Sequence, residues 1–231
     1  MSSARETDQT GWLVTGTDTG VGKTVVAAAI CASLVAAGKS PTYVKPVQSG
    51  SADGDDDAAD VRALAGVPAV TGLTLGPSLA PAVAARLAGE QLSGTELLAV
   101  VSDELSRPLV VEGAGGLLVE LGTDGTTAIR LAHALELPLV VVVRPGLGTL
   151  NHTALTLEVA AHHDVAVAGV VICGGSSTPD LAEQTNVAEL DRLSDGRLLG
   201  IIPDLPGVTP EALRGAPSWL APAFGGTWRL P

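Results

Sequence analysis

The chain has 231 residues, 46% of them apolar and only 2% aromatic, with a formal net charge of −12. That length suits one α/β domain with an aliphatic core, and no linker divides it, so a single domain over 1–231 is expected, with 1–10 as a disordered tail. The 13 Lys and Arg are scattered rather than clustered, which argues against a nucleic-acid partner, because phosphate backbones need a concentrated positive surface.

The opening MSSARETDQT is polar, unlike a signal peptide, and the longest apolar run, Leu137–Val143, is too short to span a bilayer. A cytoplasmic protein without a membrane partner is expected. The first candidate strand, Trp12–Gly16, runs into VTGTDTGVGKT, Val14 to Thr24, and then into a helix over Lys23–Ala37. Glycines let successive backbone N–H groups converge on an anion, and the helix offers its positive end. Lys23 adds a cation at the outer phosphates, and Thr24 stands where a Mg²⁺ ligand would. Gly16 precedes Gly22 by one residue more than the strict GxxxxGK[ST] spacing, so the loop is a variant. Cys31, within this helix, is isolated like Cys173 and reads as a small buried hydrophobe.

The second strand, Thr42–Val47, carries Lys45 before Pro46, a position pushed toward extended backbone. With Lys23 and Lys39, Lys45 completes the chain's three lysines. Aimed into the crevice beyond the strand ends, it suits a transferring phosphoryl group, whose chemistry depends on positioning and charge neutralisation. Ser49 is a candidate contact to a substrate polar group. Asp55, Asp56 and Asp57 follow, before a helix over Asp57–Leu64; any of the three can serve Mg²⁺, which takes a few carboxylates beside phosphate and water. Further helices are expected at Pro81–Ala88 and Gly94–Ser106.

The strand Leu109–Glu112 ends in a carboxylate followed by Gly113, Ala114, Gly115 and Gly116, which marks a second metal contact and close backbone approach. Leu137–Val143 leads through RPGLGTLNH to a helix over Thr149–His163, where the turn and helix start suit a carboxylate and Asn151 is a better candidate than His152. His133, His162 and His163 read as helix-surface residues. A strand over Val167–Ile172 runs into Cys173, Gly174 and Gly175, a helix follows over Asp180–Leu193, and a strand over Leu198–Ile202 ends at PDLPG. The tail from Pro217 reads as a loop packed on the body. Apolar strands alternating with helices make an α/β protein with a doubly wound, mostly parallel sheet of the P-loop NTPase type and helices on both faces; such folds bind ligands beyond the carboxyl ends of the strands.

In order along nearly the whole chain, TGTDTGVGKT, YVKPVQSG with GDDD, VEGAGGLLVE and GLGTLNH resemble the dethiobiotin synthetases, ATP-dependent cyclo-ligases that close the ureido ring in biotin synthesis. The family's phosphate loop has this longer spacing. The resemblance implies that Gly20, Val21, Gly22, Lys23, Thr24 and Val25 bind the phosphates of ATP, that Thr24, Asp57 and Glu112 hold Mg²⁺, and that Lys45 is catalytic with Lys23. It places Gly113, Ala114 and Gly115, Cys173 and Gly174, and Pro203, Asp204 and Leu205 around the nucleotide. Ser49 would contact the diamine or its carbamate. Gly148, Thr149, Leu150 and Asn151 would receive the substrate carboxylate across the interface of a homodimer. The substrates implied are 7,8-diaminononanoate and CO₂, with ADP and phosphate released.

One departure is that Cys173-Gly174-Gly175 replaces the Asn-containing segment with which many members read adenine. A thiol lacks the amide's paired donor and acceptor, so relaxed selectivity among nucleoside triphosphates is expected. The alternative, a partition- or septum-positioning ATPase, carries a signature lysine where this chain has Asp18. A cobyrinate-type amidotransferase would need an added glutaminase domain that this length does not hold.

Overall fold

A computed structural model describes residues 11–104 and 108–230; the expected tail at 1–10 and the end of the expected helix at Ser106 lie outside them. Seven strands form one sheet: β1 (Gly11–Gly16), β2 (Thr42–Ser49), β3 (Ala69–Leu75), β4 (Leu109–Gly116), β5 (Leu139–Val143), β6 (Val167–Gly175) and β7 (Leu198–Pro203). Their order is β3-β2-β4-β1-β5-β6-β7, with every neighbouring pair parallel. β1 therefore lies mid-sheet, and its loop opens at the centre of the carboxyl edge.

Parallel strands need crossovers, and the helices supply them on both faces. One face carries α1 (Lys23–Ala36) and α2 (Asp57–Ala65), with the short α8 (Pro210–Leu213) and α9 (Ala216–Trp219). Their core includes Trp12, Val14, Ile30, Tyr43, Val110 and Phe224. On the opposite face lie α3 (Pro81–Ala88), α4 (Gly94–Ser102), α5 (Ala128–Leu135), α6 (Thr149–His162) and α7 (Leu181–Leu193), over a core with Leu13, Val44, Leu97, Val111, Ile129 and Leu190. Capping explains several boundaries. Asp56 accepts from the Ala59 amide at the start of α2, Ser93 and Glu96 form a capping box on α4, and Asp180 caps α7, one residue inside its expected start.

Several expectations need correction. β5 begins at Leu139 rather than Leu137, after Pro138, which has no N–H for a ladder. β6 continues through Gly175, so Cys173 and Gly174 lie inside the strand's end rather than in a loop after it. α4 stops at Ser102. The tail is not plain loop: α9 and a 3₁₀ turn at Pro222–Phe224 bring Phe224 edge-on to Trp12, with ring centroids 5.2 Å apart. β3 was not among the expected elements, and α5 was expected only as the helix carrying His133, without bounds. β3 is an edge strand with Gly72 at its middle and exposed Leu73, and α5 buries Ala128, Ile129, Leu131 and Ala132, the i, i+1, i+3, i+4 pattern of one helical face.

Candidate active site

The phosphate loop joins β1 to α1. Gly22 has φ 93° and is the N-cap of α1, and a Cβ there would stand 2.4 Å from Cys173 Sγ. Gly16 is constrained on the inner side, where a Cβ would press on Val21, the Asp18 carbonyl and, at 3.3 Å, Lys23 Nζ. Glycine is thus required twice by close approach. Lys23 Nζ donates to the Asp18 carbonyl at 3.1 Å. Burial lowers its pKa from the ordinary lysine value, against the opposing pull of Glu112. The Asp18 carboxylate pairs with Arg144 at 2.8 Å, tying the loop to the segment after β5.

Beside the loop, four elements converge. Lys45 of β2 is 4% exposed and Glu112 of β4 is 1% exposed. Lys45 Nζ lies 2.6 Å from Asp57 Oδ2 and 2.8 Å from Glu112 Oε1, and donates to the Gly113 carbonyl at 3.0 Å. An ammonium has three N–H groups, and each has an acceptor here. Burial alone would lower the pKa of Lys45; Glu112 and Asp57 outweigh it and hold the pKa above the ordinary value. The Thr24 hydroxyl lies 3.2 Å from both Asp57 Oδ1 and Glu112 Oε1.

This geometry selects among the three aspartates. Asp57 opens α2 and faces Thr24, whereas Asp56 caps the helix and Asp55 lies 3.4 Å from the Ser78 hydroxyl. Thr24 brings its hydroxyl within 3.2 Å of carboxylate oxygens of both Asp57 and Glu112, the donor types that Mg²⁺ takes together with phosphate and water. The residues fit that ion, and Lys45 shows that they accommodate positive charge.

Two further residues complete the cluster. The buried Tyr43 donates to Glu112 Oε2 at 2.9 Å, and Gln48 accepts from the Asp57 amide at 3.1 Å while donating to the Ser49 carbonyl at 2.7 Å. Burial, then Glu112, raises the Tyr43 phenol well above its ordinary pKa, so it remains a donor.

The other expected residues divide into two groups. Gly113 contributes its carbonyl to Lys45, with half-buried Ala114 and Gly115 following it on β4. Cys173 lies over Gly22, and burial, then Asp204, pushes its thiol up to about 11. The Asp204 amide donates to the Gly175 carbonyl, and Leu205 packs on the α1-side core beyond Pro203. Gly148 has φ 88° and caps α6; behind it Thr149 is buried, Leu150 half-buried and Asn151 exposed. Ser49 ends β2, half-buried. None of Ser49, Gly148, Thr149, Leu150 or Asn151 makes a side-chain bond to the Lys45 cluster among the described residues. No helix among the described residues is long and apolar enough to cross a membrane.

Residues 10–212 match the family described as AAA domain. A Mycobacterium avium protein named ATP-dependent dethiobiotin synthetase BioD is 50% identical over 189 residues, 80% of this chain and 84% of the relative. A Streptomyces avermitilis protein of the same name is 44% identical over 223 residues, 94% of each chain. Among solved structures, the septum site-determining protein MinD of Pyrococcus horikoshii, complexed with Mg-ADP, superposes with TM-score 0.55 at 16% identity, covering 93% of this chain and 88% of that one. A ParA family ATPase from Chlorobium tepidum gives 0.54 at 12% identity, covering 90% of each. At those identities the likeness carries the fold alone, that of the P-loop NTPases.

Proposed function

The chain belongs to the ATP-dependent dethiobiotin synthetase family, a ligase family of biotin biosynthesis, and from that premise we propose how its own residues carry the reaction. An amine of 7,8-diaminononanoate captures CO₂ as a carbamate. A carbamate oxygen attacks the γ-phosphorus of ATP and ADP leaves, giving a carbamic–phosphoric anhydride. The second amine attacks the carbonyl carbon, phosphate leaves, and the ureido ring closes. No protein nucleophile is needed.

The observation that carries this reading is the buried Lys45, held by Asp57, Glu112 and the Gly113 carbonyl beside Thr24. Two anions must meet in the phosphoryl step, and fixed ammonium groups reduce their repulsion and stabilise the charge that develops. Lys23 and the amides from Gly20 to Val25 bind the phosphates; Lys45 acts on the transferring group. Thr24, Asp57 and Glu112 hold Mg²⁺, which when bound neutralises phosphate charge. Gly113, Ala114, Gly115, Cys173, Gly174, Pro203, Asp204 and Leu205 line the nucleotide.

Ser49 contacts the diamine or carbamate, and Gly148 to Asn151 receive the substrate carboxylate from a second copy of the chain in a homodimer. Exposed Leu147 and Leu155, close to that segment along the chain, support such an interface. The protein works as one domain in the cytoplasm, without nucleic acid or membrane partners.

The deciding assay supplies MgATP, bicarbonate and 7,8-diaminononanoate to the purified protein and measures ADP. Release that depends on the diamine is expected. Turnover without the diamine, stimulated by DNA or lipid, would point to the switch ATPases instead. Sedimentation tests the dimer: a monomer that retains full activity overturns the shared site.

A further inference from the structure

Asp57 turns both carboxylate oxygens toward the site, Oδ1 to Thr24 and Oδ2 to Lys45. Glu112 divides its oxygens. Oε1 faces Thr24 and Lys45, whereas Oε2 points into the core and accepts from Tyr43. Among the described residues no other group bonds Oε2. A glutamate's terminal torsion is broad and roughly twofold, so without a partner on one side either oxygen could face the site.

We infer that Tyr43 is a positioning residue for this reaction: by holding Oε2 of Glu112 from inside the core, its phenol reserves Oε1 for Thr24, Lys45 and the proposed metal. Sheet register places it there. Tyr43 pairs with Val110 and Val44 with Val111, so Glu112 is diagonal to Tyr43 on the α1 face, which Tyr43 shares with Lys45 two residues on. Tyr43 is fully buried among apolar side chains. Phenylalanine would fill that space without a hydroxyl to desolvate, so the hydroxyl is useful through its one acceptor. The role is that of an outer partner fixing a metal ligand's orientation. It rests on the reading of Thr24, Asp57 and Glu112 as the metal site.

The first test is Tyr43→Phe, which keeps the ring. The Mg²⁺ concentration for half-maximal turnover is expected to rise roughly tenfold, the lower end for loss of such a partner. Mn²⁺ affinity of the enzyme–ADP complex, read by electron paramagnetic resonance of the free ion, should weaken by a similar factor. Turnover should recover toward the wild-type rate at saturating Mg²⁺, because added metal restores occupancy of the site. A lower melting temperature with unchanged Mg²⁺ and Mn²⁺ dependences would make Tyr43 a packing residue and overturn the inference.

A second test needs no variant. Tyr43 is the chain's single tyrosine, so ¹³Cζ-tyrosine labelling gives one NMR resonance from this phenol. Mg²⁺ with ADP is expected to shift it, whereas ADP with a chelator should not. An unmoved resonance contradicts the coupling even if the variant fails to fold. If the wild-type enzyme–ADP complex binds no Mn²⁺, the metal site itself fails and the role of Tyr43 falls with it. Intact wild-type binding with an unaffected variant rejects Tyr43 alone.

Discussion

Where β2 and β4 face α1 and α2, Lys45, Asp57, Glu112, Thr24 and Tyr43 satisfy one another through short polar contacts. At the ends of β6 and β7 the chain offers one thiol, glycines and the carbonyl and amide groups around Gly175 and Asp204. The first region holds its charges by polar contacts within the protein. The second shapes space more than it recognises polar groups. In the proposed site, transfer chemistry therefore rests on charged groups and discrimination of the base on fit.

The strongest way to break this contrast is Lys45→Ala. Turnover is expected to fall about 10²–10³-fold, the usual cost of removing one preorganised group acting on developing charge. The melting temperature should fall while the fold persists, because Thr24 and Tyr43 still donate to Glu112. Near-normal steady-state rates would remove Lys45 from the chemistry.

The next largest effect is expected at the thiols. Burial pushes Cys31 up to about 12, and burial with Asp204 pushes Cys173 up to about 11. At pH 8 the thiolate fraction of Cys173 is then about 100-fold below that of an ordinary thiol, so iodoacetamide should react slowly, at a rate climbing toward pH 11. Both folded-state values are raised, so the stability they contribute is complete below about pH 9 and is lost as pH rises through the folded values. Denaturant melts at pH 8 and 10.5 check this, with lower stability at the higher pH. Modification at the free-thiol rate at pH 8 would show that Cys173 is reactive after all.

Gly22→Ala probes where the two regions touch. Its Cβ would meet Cys173 Sγ at φ 93°, and backbone strain of this kind costs about 1–3 kcal/mol. ADP binding measured by calorimetry should weaken about tenfold or more at the middle of that range. Adding Cys173→Gly should recover part of the loss; no recovery would mean that the thiol is not the obstacle. The smallest effect is expected from the base. Replacing ATP with CTP or GTP should change kcat/KM less than about tenfold, the worth of one hydrogen bond. Strong exclusion of both would show that the β6–β7 edge reads the base.

Much of the α1 side was legible because local rules govern it: glycine spacing marked the loop, Pro46 marked Lys45 as extended backbone and an acid after LVV marked Glu112, although β2 runs on to Ser49 and β4 to Gly116, so both side chains sit mid-strand rather than at the expected strand ends. Gln48 was not legible. Strict alternation would put it opposite Lys45, but beyond Pro46 the pattern is offset: Val47 joins the core of Val44, and Gln48 turns to the Asp57 amide. Tyr43 was hidden for another reason, since its partner lies 69 positions away and only register brings them together. β3 gave no clear signal because an edge strand carrying Gly72 lacks the continuous apolar run of a buried one.

The central place of β1 has a consequence in time. Gly11 lies opposite Leu109 and Leu13 opposite Leu139, so the first strand to be synthesised waits for both neighbours. At about 5–20 residues per second, the wait for β5 is roughly 6–25 s on the ribosome. Until then Gly11–Gly16 has β4 alone as a partner, and the loop that follows it lacks its β5 neighbour. A nascent chain stalled before β5 therefore lacks one of the two strands that flank the base of the phosphate loop.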